Sequence, residues 1–290
     1  MEVFPMGIPY LRAETDEQSI RIYRGDHPDP ILVQNAQTNQ RPFIHPILAP
    51  DGKGVLTENT PPHHPWQHGI YVGLNDVNGI GFWEEGIKHH PKDGSFHPQP
   101  LKPAVVNLHH ASWEIETHWR DPQGNHMITE LQQWSLHDLG STYELDFQWS
   151  LRAEIKLTFG RYDYGGLFLR MPYRHELGGE ALNSEGQMNG EAEGKRARWV
   201  SCRMPIEGRS DNAGFVFMDH PNNTEHPVPW RVDGQLGISP SRCIAGQWEL
   251  DQGETQMSQY RILVFCGNMD PSTVNENWRN FASKIAMNKE

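Results

Sequence analysis

Apolar residues in this chain recur mostly with a period of two. From Thr142 the sequence reads TYELDFQWSLRAEIKLTF, with Tyr143, Leu145, Phe147, Trp149, Leu151, Ala153, Ile155, Leu157 and Phe159 at alternate positions. Mainly polar or charged residues stand between them. Such a run is a strand, or two strands meeting at a bulge or tight bend, with one face buried. Residues 104–119 (AVVNLHHASWEIETHW) and 127–136 (MITELQQWSL) alternate more loosely. Turn signals at 122–124 and at Leu139-Gly140 separate the three stretches, which predicts an antiparallel meander. Shorter strands are expected at Gly69–Leu74, Leu167–Met171, Trp199–Arg203, Gly214–Met218 and Ser258–Phe265.

One segment reads as a helix, over 271–287. Asp270 can cap it, Pro271 suits its first turn, and Val274, Trp278, Phe281 and Ile285 follow at helical spacing. Its expected role is to cover a sheet edge or barrel end. Residues 176–198 carry five Gly and many charges, so they are expected to form a long exposed loop, either disordered or a lid over a site. No fixed-period repeat or linker divides the chain. The expectation is one domain over 1–290 and an all-β fold: a large antiparallel β-sandwich with a C-terminal helix.

Composition narrows the class. The 27 Gly and 22 Pro among 290 residues favour a turn-rich chain, and 29 aromatic residues are too many for a disordered one. No apolar run approaches the roughly 20 residues that span a bilayer. Mean hydropathy is −0.69, so no membrane association is expected. Met1–Arg12 lacks a basic segment followed by an apolar one, so no signal peptide is read and a cytoplasmic location is expected. Cys202, Cys243 and Cys266 lie far apart and read as buried, reduced thiols. A net charge of −12 argues against nucleic acid as a partner.

The 16 histidines change the picture most. Pro61 to Gly69 reads PPHHPWQHG and supplies His63, His64 and His68. Pro65 breaks a helix and the required Glu is missing, so this is no zincin motif. It reads as a loop entering a strand, able to converge imidazoles on a metal or an anionic transition state. The alternative is that Trp66 and the prolines pack the loop while the histidines bond main chain. In VNGIGFWEEG (77–86), Trp83 stands beside Glu84 and Glu85. An aromatic face next to a carboxylate suits sugars, with Glu84 as candidate base and Glu85 read as solvated.

Histidines 89, 90 and 97 fall in a Pro/Gly-rich loop. His109 and His110 point to opposite faces of a strand and read as structural. FMDHPNN (217–223) places Asp219 and His220 at a strand's end, as orienter and base or as an Asx turn, with Asn223 just beyond. Arg170 stands in an apolar strand, where it clamps a carboxylate or an anionic substrate group. No GxGxxG, Walker or GxSxG pattern is present, so no nucleotide cofactor is expected.

The segments RPFIHPILAPDGKGVLT (41–57), HHPWQHGIYVGLNDVNGIGFW (63–83), YGGLFLRMP (164–172), WVSCRMP (199–205), GFVFMDHPNN (214–223) and LVFCGNMD (263–270) together resemble the PmoA-like family of bacterial proteins, whose members carry a methane-oxygenase label. The resemblance covers most of the chain. It implies a mutarotase-type β-supersandwich and a place in carbohydrate breakdown, on oxidised (keto) glycosides. Many relatives read DHPHHRG where this chain has PPHHPWQHG, so Gln67 replaces an Arg and the leading Asp is absent.

The resulting expectation is an enzyme that moves a proton next to a carbonyl of a sugar or glycoside, as a lyase, hydratase or epimerase. His64, His68, His220 and Glu84 would be catalytic. Arg170, Trp66, Trp83 and Asn223 would bind substrate, with a divalent metal (Zn, Mn or Fe) on His63, His64, His68 and His220 as an option. The alternative is a non-catalytic carbohydrate-binding protein stacking sugars on Trp66, Trp83 and Trp230. A metal-dependent oxygenase is the weaker one. Oligomeric state stays open, a homo-oligomer included.

Overall fold

Alternating side chains force a strand to bury one face, and two sheets here bury those faces against each other. The computed structural model describes residues 10–283. In the larger sheet the strands run in the order Leu11–Thr15, Ser19–Arg24, Leu32–Asn35, Phe43–Ile47, Ile70–Val77, Gly166–Leu169, Ile238–Pro240 and Trp230–Val232. Ile80–Phe82 and Leu157–Phe159 also pair with Ile70–Val77, and Trp248–Leu250 pairs with Leu157–Phe159. The smaller sheet runs Glu180–Asn183, Trp199–Pro205, Asn212–Asp219, Thr255–Cys266, Thr142–Ala153, His126–Asp138, His110–Arg120 and Ser95–Pro98, with Val105–Asn107 beside His110–Arg120. Every strand pairing is antiparallel, and the expected sandwich and meander are both present.

Trp113, Trp134, Phe147 and Tyr260 follow one another across four neighbouring strands on the inner face. The Trp134 and Phe147 rings stack with centroids 4.0 Å apart. Each such side chain contributes on the order of 1.5–3 kcal/mol by leaving water.

The run from Thr142 to Phe159 is two strands in different sheets. Thr142–Ala153 lies in the smaller sheet and Leu157–Phe159 in the larger. Ile155, in the crossing between them, is exposed although it keeps the alternation. The expected loop over 176–198 also differs. Residues Glu180–Asn183 form the edge strand of the smaller sheet, because Ala181 and Asn183 bury against it and four of its residues pair with Val200–Arg203. Ala192 and Ala197 are buried as well, so this segment is not a free excursion.

The C-terminal helix spans Pro271–Ala282, and Asp270 caps it by accepting from the Ser272 and Thr273 N–H groups. Residues 284–287 of the expected helix, Ile285 included, lie outside the described residues. Its apolar side, Val274 and Phe281, packs on Trp199, Val216, Met218, Leu263 and Phe265. It therefore covers the outer face of the smaller sheet, rather than an edge or an end. No described helix is long and apolar enough to cross a membrane.

A carboxyl group lies inside the core. Glu130 is completely buried and accepts from the indole N–H of Trp149 (2.6 Å) and of Trp119 (3.0 Å), and from Gln132 (3.0 Å). Burial pushes its carboxyl up from the ordinary value, against the pull of those donors. The native state therefore holds this proton more tightly than the unfolded chain, and the stability from this group falls as pH rises past the unfolded value. Urea midpoints of the wild type and Glu130→Gln at about pH 4.5 and about pH 7.5 test this. The wild type's advantage should shrink at the higher pH; a gap that widens would refute the assignment.

Candidate functional site

Strand parity decides which side chains reach the outer face of the larger sheet. In Ile70–Val77, residues Ile70, Val72 and Leu74 enter the core between the sheets, while Tyr71 turns outward. Leu167 and Leu169 likewise point in, and Phe168 and Arg170 share the opposite parity. Phe43, Trp66, Tyr71, Trp83 and Phe168 form a second apolar cluster on this outer face. On its far side stand the polar groups.

The PPHHPWQH segment is the tip of a hairpin. Thr60 N–H donates to Gln67 O, Gly69 N–H to Glu58 O, and two successive turns close through His64 N to Pro61 O and Gln67 N to His64 O. Arg170 is stitched to its base, since Glu58 N–H donates to Arg170 O and Arg170 N–H to Gly69 O. Thr60 holds φ +49, a strained conformation for a β-branched residue.

The Arg170 guanidinium is 1% exposed. Its Nε lies 3.3 Å from Glu58 Oε2, one terminal nitrogen donates to Gln235 Oε1 at 2.9 Å, and the other lies 2.9 Å from His63 Nε2. Gln235 Oε1 is also 3.0 Å from His63 Nε2. Since the guanidinium only donates, the His63 tautomer that suits it carries its proton on Nδ1, and Nε2 then does not donate to Gln235 Oε1. Glu58 reaches a second cation, Arg174, at 2.7 Å.

A second buried charge network lies beside the first. His68, fully buried, has Nε2 at 2.7 Å from Glu85 Oε2 and Nδ1 at 2.6 Å from the Asn59 amide, and its ring stacks on Phe43 at 4.5 Å. Glu85 also accepts from the Arg41 backbone N–H at 2.7 Å and lies 3.1 Å from Arg41 Nε. Burial pushes the Glu85 carboxyl up, but Arg41 and His68 outweigh it and hold it below its ordinary value. The Arg41 guanidinium passes over Gly73, where a Cβ would come within 2.4 Å of it. His45 bonds Thr57 at 2.9 Å, and burial followed by the neighbouring His68 lowers it to about 4, so it is neutral at pH 7.

His64 is different in kind. Its ring is half-buried, edge-on to His63 (4.9 Å) and to Trp66 (5.4 Å). Its Nδ1 is enclosed with no protein hydrogen-bond partner. Burial lowers its pKa, and His63 and Arg170 lower it further. Trp66 Nε1, Gln67 Oε1 and Tyr71 OH are likewise enclosed without a protein partner. Burial raises the Tyr71 phenol well above its ordinary value, so it stays protonated.

The structure thus brings together His63, His64, His68, Trp66, Trp83 and Arg170, and separates the other expected residues. His220 continues the outward parity of Val216 and Met218 in the smaller sheet and packs edge-on against Phe281 of the C-terminal helix at 4.9 Å. It cannot join His64 and His68. Asn223 is a structural tie, donating to Asp219 Oδ1 and Gln259 O and accepting from Gln259 N, each at 2.7 Å. Asp219 orients His226 at 2.6 Å rather than its neighbour His220. Glu84 lies at the rim, paired with Lys88 at 2.7 Å, and it is Glu85 that turns inward, at φ +52.

Trp83 is buried in the outer cluster and Trp230 in the main core, so neither presents a face to stack a sugar. The proposed metal ligands also part. Among the described residues no three His, Cys, Asp or Glu side chains are placed to hold a metal together. His63 faces a guanidinium, both His68 nitrogens are engaged, and His220 lies on the other sheet, so this donor set does not fit a metal. Arg41 and Glu58 show in the sequence only as charges flanking proline-rich turns, NQRPF and LTENTPP, and Tyr71 and Gln235 carry no signal there. The expectation that Glu85 is solvated is corrected by its burial against Arg41 and His68.

The model of a family of unknown function, DUF6807, matches residues 22–279. No PmoA family matches, which corrects the resemblance drawn from the motifs. No curated protein matches. Among solved structures, a galactose mutarotase related enzyme from Lactobacillus acidophilus is similar at 8% identity and TM-score 0.36, over 88% of this chain and 97% of that one. An α-galactosidase from Lactobacillus brevis is similar at 12% identity and TM-score 0.32, over 88% of this chain and 39% of its own. A GH36 α-galactosidase from Geobacillus stearothermophilus is similar at 11% identity and TM-score 0.31, and this chain spans 32% of it.

Removing one partner of a buried ion pair strands the other. Glu85→Ala should therefore cost about 3–5 kcal/mol by leaving Arg41 uncompensated. Because the native carboxyl titrates below its unfolded value, the loss should be full at neutral pH and shrink as pH falls through the native value. Urea unfolding of both proteins measures it; a loss below about 1 kcal/mol at neutral pH would show that the pair does not hold the site.

Proposed function

The chain belongs to the DUF6807 family, whose function is unknown, and we propose that this member is an enzyme moving a proton next to a carbonyl of a sugar or glycoside. The reaction would take place on the outer face of the larger sheet. The observation that carries the reading is His64. It is a half-buried imidazole, kept neutral by burial and flanked by a cation, with a ring nitrogen that lacks a protein partner. A neutral imidazole near pH 7 is a competent general base. Removing a proton beside a carbonyl puts negative charge on its oxygen, and a guanidinium fixed on three sides is preorganised to stabilise it.

In this reading His64 takes the proton and Arg170 faces the developing oxyanion. Glu58, His63 and Gln235 hold Arg170 in place, using three of its five N–H donors. The His68–Glu85–Arg41 network fixes the base of the hairpin that carries His64. Two features favour a neutral, hydroxyl-rich substrate. The unpartnered atoms mix a donor (Trp66 Nε1) with an acceptor (Gln67 Oε1), and a hydroxyl serves either. The surrounding charges also balance, with Arg170, Arg174 and Lys88 against Glu58, Asp233 and Glu84. His64 Nδ1 is shielded from solvent, so a substrate reaches it as the hairpin tip lifts, with strained Thr60 as the natural hinge.

Hydrogen–deuterium exchange tests this without knowing the product. The protein is incubated in D2O with a panel of aldoses, ketoses, uronic acids and glycosides oxidised to ring ketones, and exchange next to the carbonyl is followed by NMR. The wild type should exchange at least one of them. A folded His64→Ala variant should do so about 10²–10⁴-fold more slowly. No exchange across the panel, or an unchanged rate in the variant, overturns the reading.

A further inference from the structure

The outer face of the smaller sheet carries histidines that the proposed reaction does not use. His110 and His137 are directly opposed across the two strands His110–Arg120 and His126–Asp138, which places their Cβ atoms about 4.5–5.5 Å apart on the same face. Their rings lie 4.5 Å apart at 42°. Both Nε2 atoms face one hydroxyl: Ser135 Oγ is 2.9 Å from His110 Nε2 and 3.5 Å from His137 Nε2. On the next strand Glu144 stands opposite His137 and Asp146 opposite Ser135. Arg261 pairs with both carboxylates.

We propose that His110 and His137 form a two-imidazole site for a late first-row divalent cation, of the Cu2+, Ni2+ or Zn2+ class, with water completing its coordination. Two imidazoles aimed at one point chelate such ions, and small rotations about the soft terminal torsion of each ring bring the nitrogens to bonding distance. Binding would fasten one strand to the next, far from the hairpin of the proposed active site.

The same face contains a contrasting pair. His118 and His126 stack more closely, at 4.2 Å. Their Nε2 atoms diverge, however: His118 toward Glu116 (3.0 Å) and His126 toward the Ile128 carbonyl (3.0 Å). Ring proximity alone does not chelate, so this second pair is a built-in control.

Titration of the whole protein with CuCl2, followed by calorimetry and electron paramagnetic resonance, tests the site. The expected result is one dominant Cu2+ site whose spectrum shows coupling to two nitrogens, with Ni2+ and Zn2+ weaker and Mg2+ not bound. His137→Ala and His110→Ala should each weaken Cu2+ by about tenfold or more, and His118→Ala should leave it unchanged. Equal binding by all three variants, or equal weakening by His118→Ala, overturns the proposal. The two-nitrogen signature is read on the wild type and does not depend on any variant folding; its absence counts equally against the site.

Discussion

A guanidinium cannot be taken out of water unless its charge and its donors find partners, and two of them lie buried on the outer face of the larger sheet. Arg41 and Arg170 reach that face from distant parts of the chain, Arg170 because its parity matches that of Phe168. Each then requires a carboxylate: Glu85 for Arg41, Glu58 for Arg170. Those two glutamates lie on either side of the histidine-rich hairpin, so satisfying the charges also folds the hairpin down on the sheet. The positions of His63, His64 and His68 follow from this pair of neutralisations.

The cost appears in the backbone. Thr60 and Glu85 both hold positive φ, where neither residue type is at ease, and both belong to the clamp that closes over the aromatic cluster. Enclosed polar atoms without protein partners gather beneath the same clamp. Strain, unmet hydrogen-bonding capacity and a neutral imidazole beside a fixed cation coincide at one place, and that coincidence sets this face apart from the rest of the surface.

The opposite side of the molecule follows a different rule. There the C-terminal helix buries the apolar half of the smaller sheet's outer face, and His220 is packed into that covering as a core side chain. The half left uncovered is polar, and its histidines are ordered by cross-strand register. Where register opposes two rings and a serine draws both nitrogens inward, a chelating geometry results. Where the nitrogens diverge, it does not.

Much of this was legible in the residues alone. The period-two alternation from Thr142, the meander before it, the capped helix after Asp270 and the demand that Arg170 be paired all rest on interactions within or next to a segment, which sequence spacing encodes. The first four strands of the larger sheet are short and weakly alternating and leave little trace in the sequence, and the sheet change at Ile155 leaves none because the alternation runs through it. The site divided in the same way. That PPHHPWQHG is a loop entering a strand is local, and so is the strand-end position of His220. Which histidines share a recess is not local: it depends on which face of which sheet each strand presents. A shift of one residue in parity exchanges core for surface. For that reason Glu85 rather than Glu84 turns inward, and His220 lies on the other sheet from His64. The sequence determined the strands and the charges that had to be paired, whereas only the stacking of two sheets, with distant segments brought side by side, decided which of them meet.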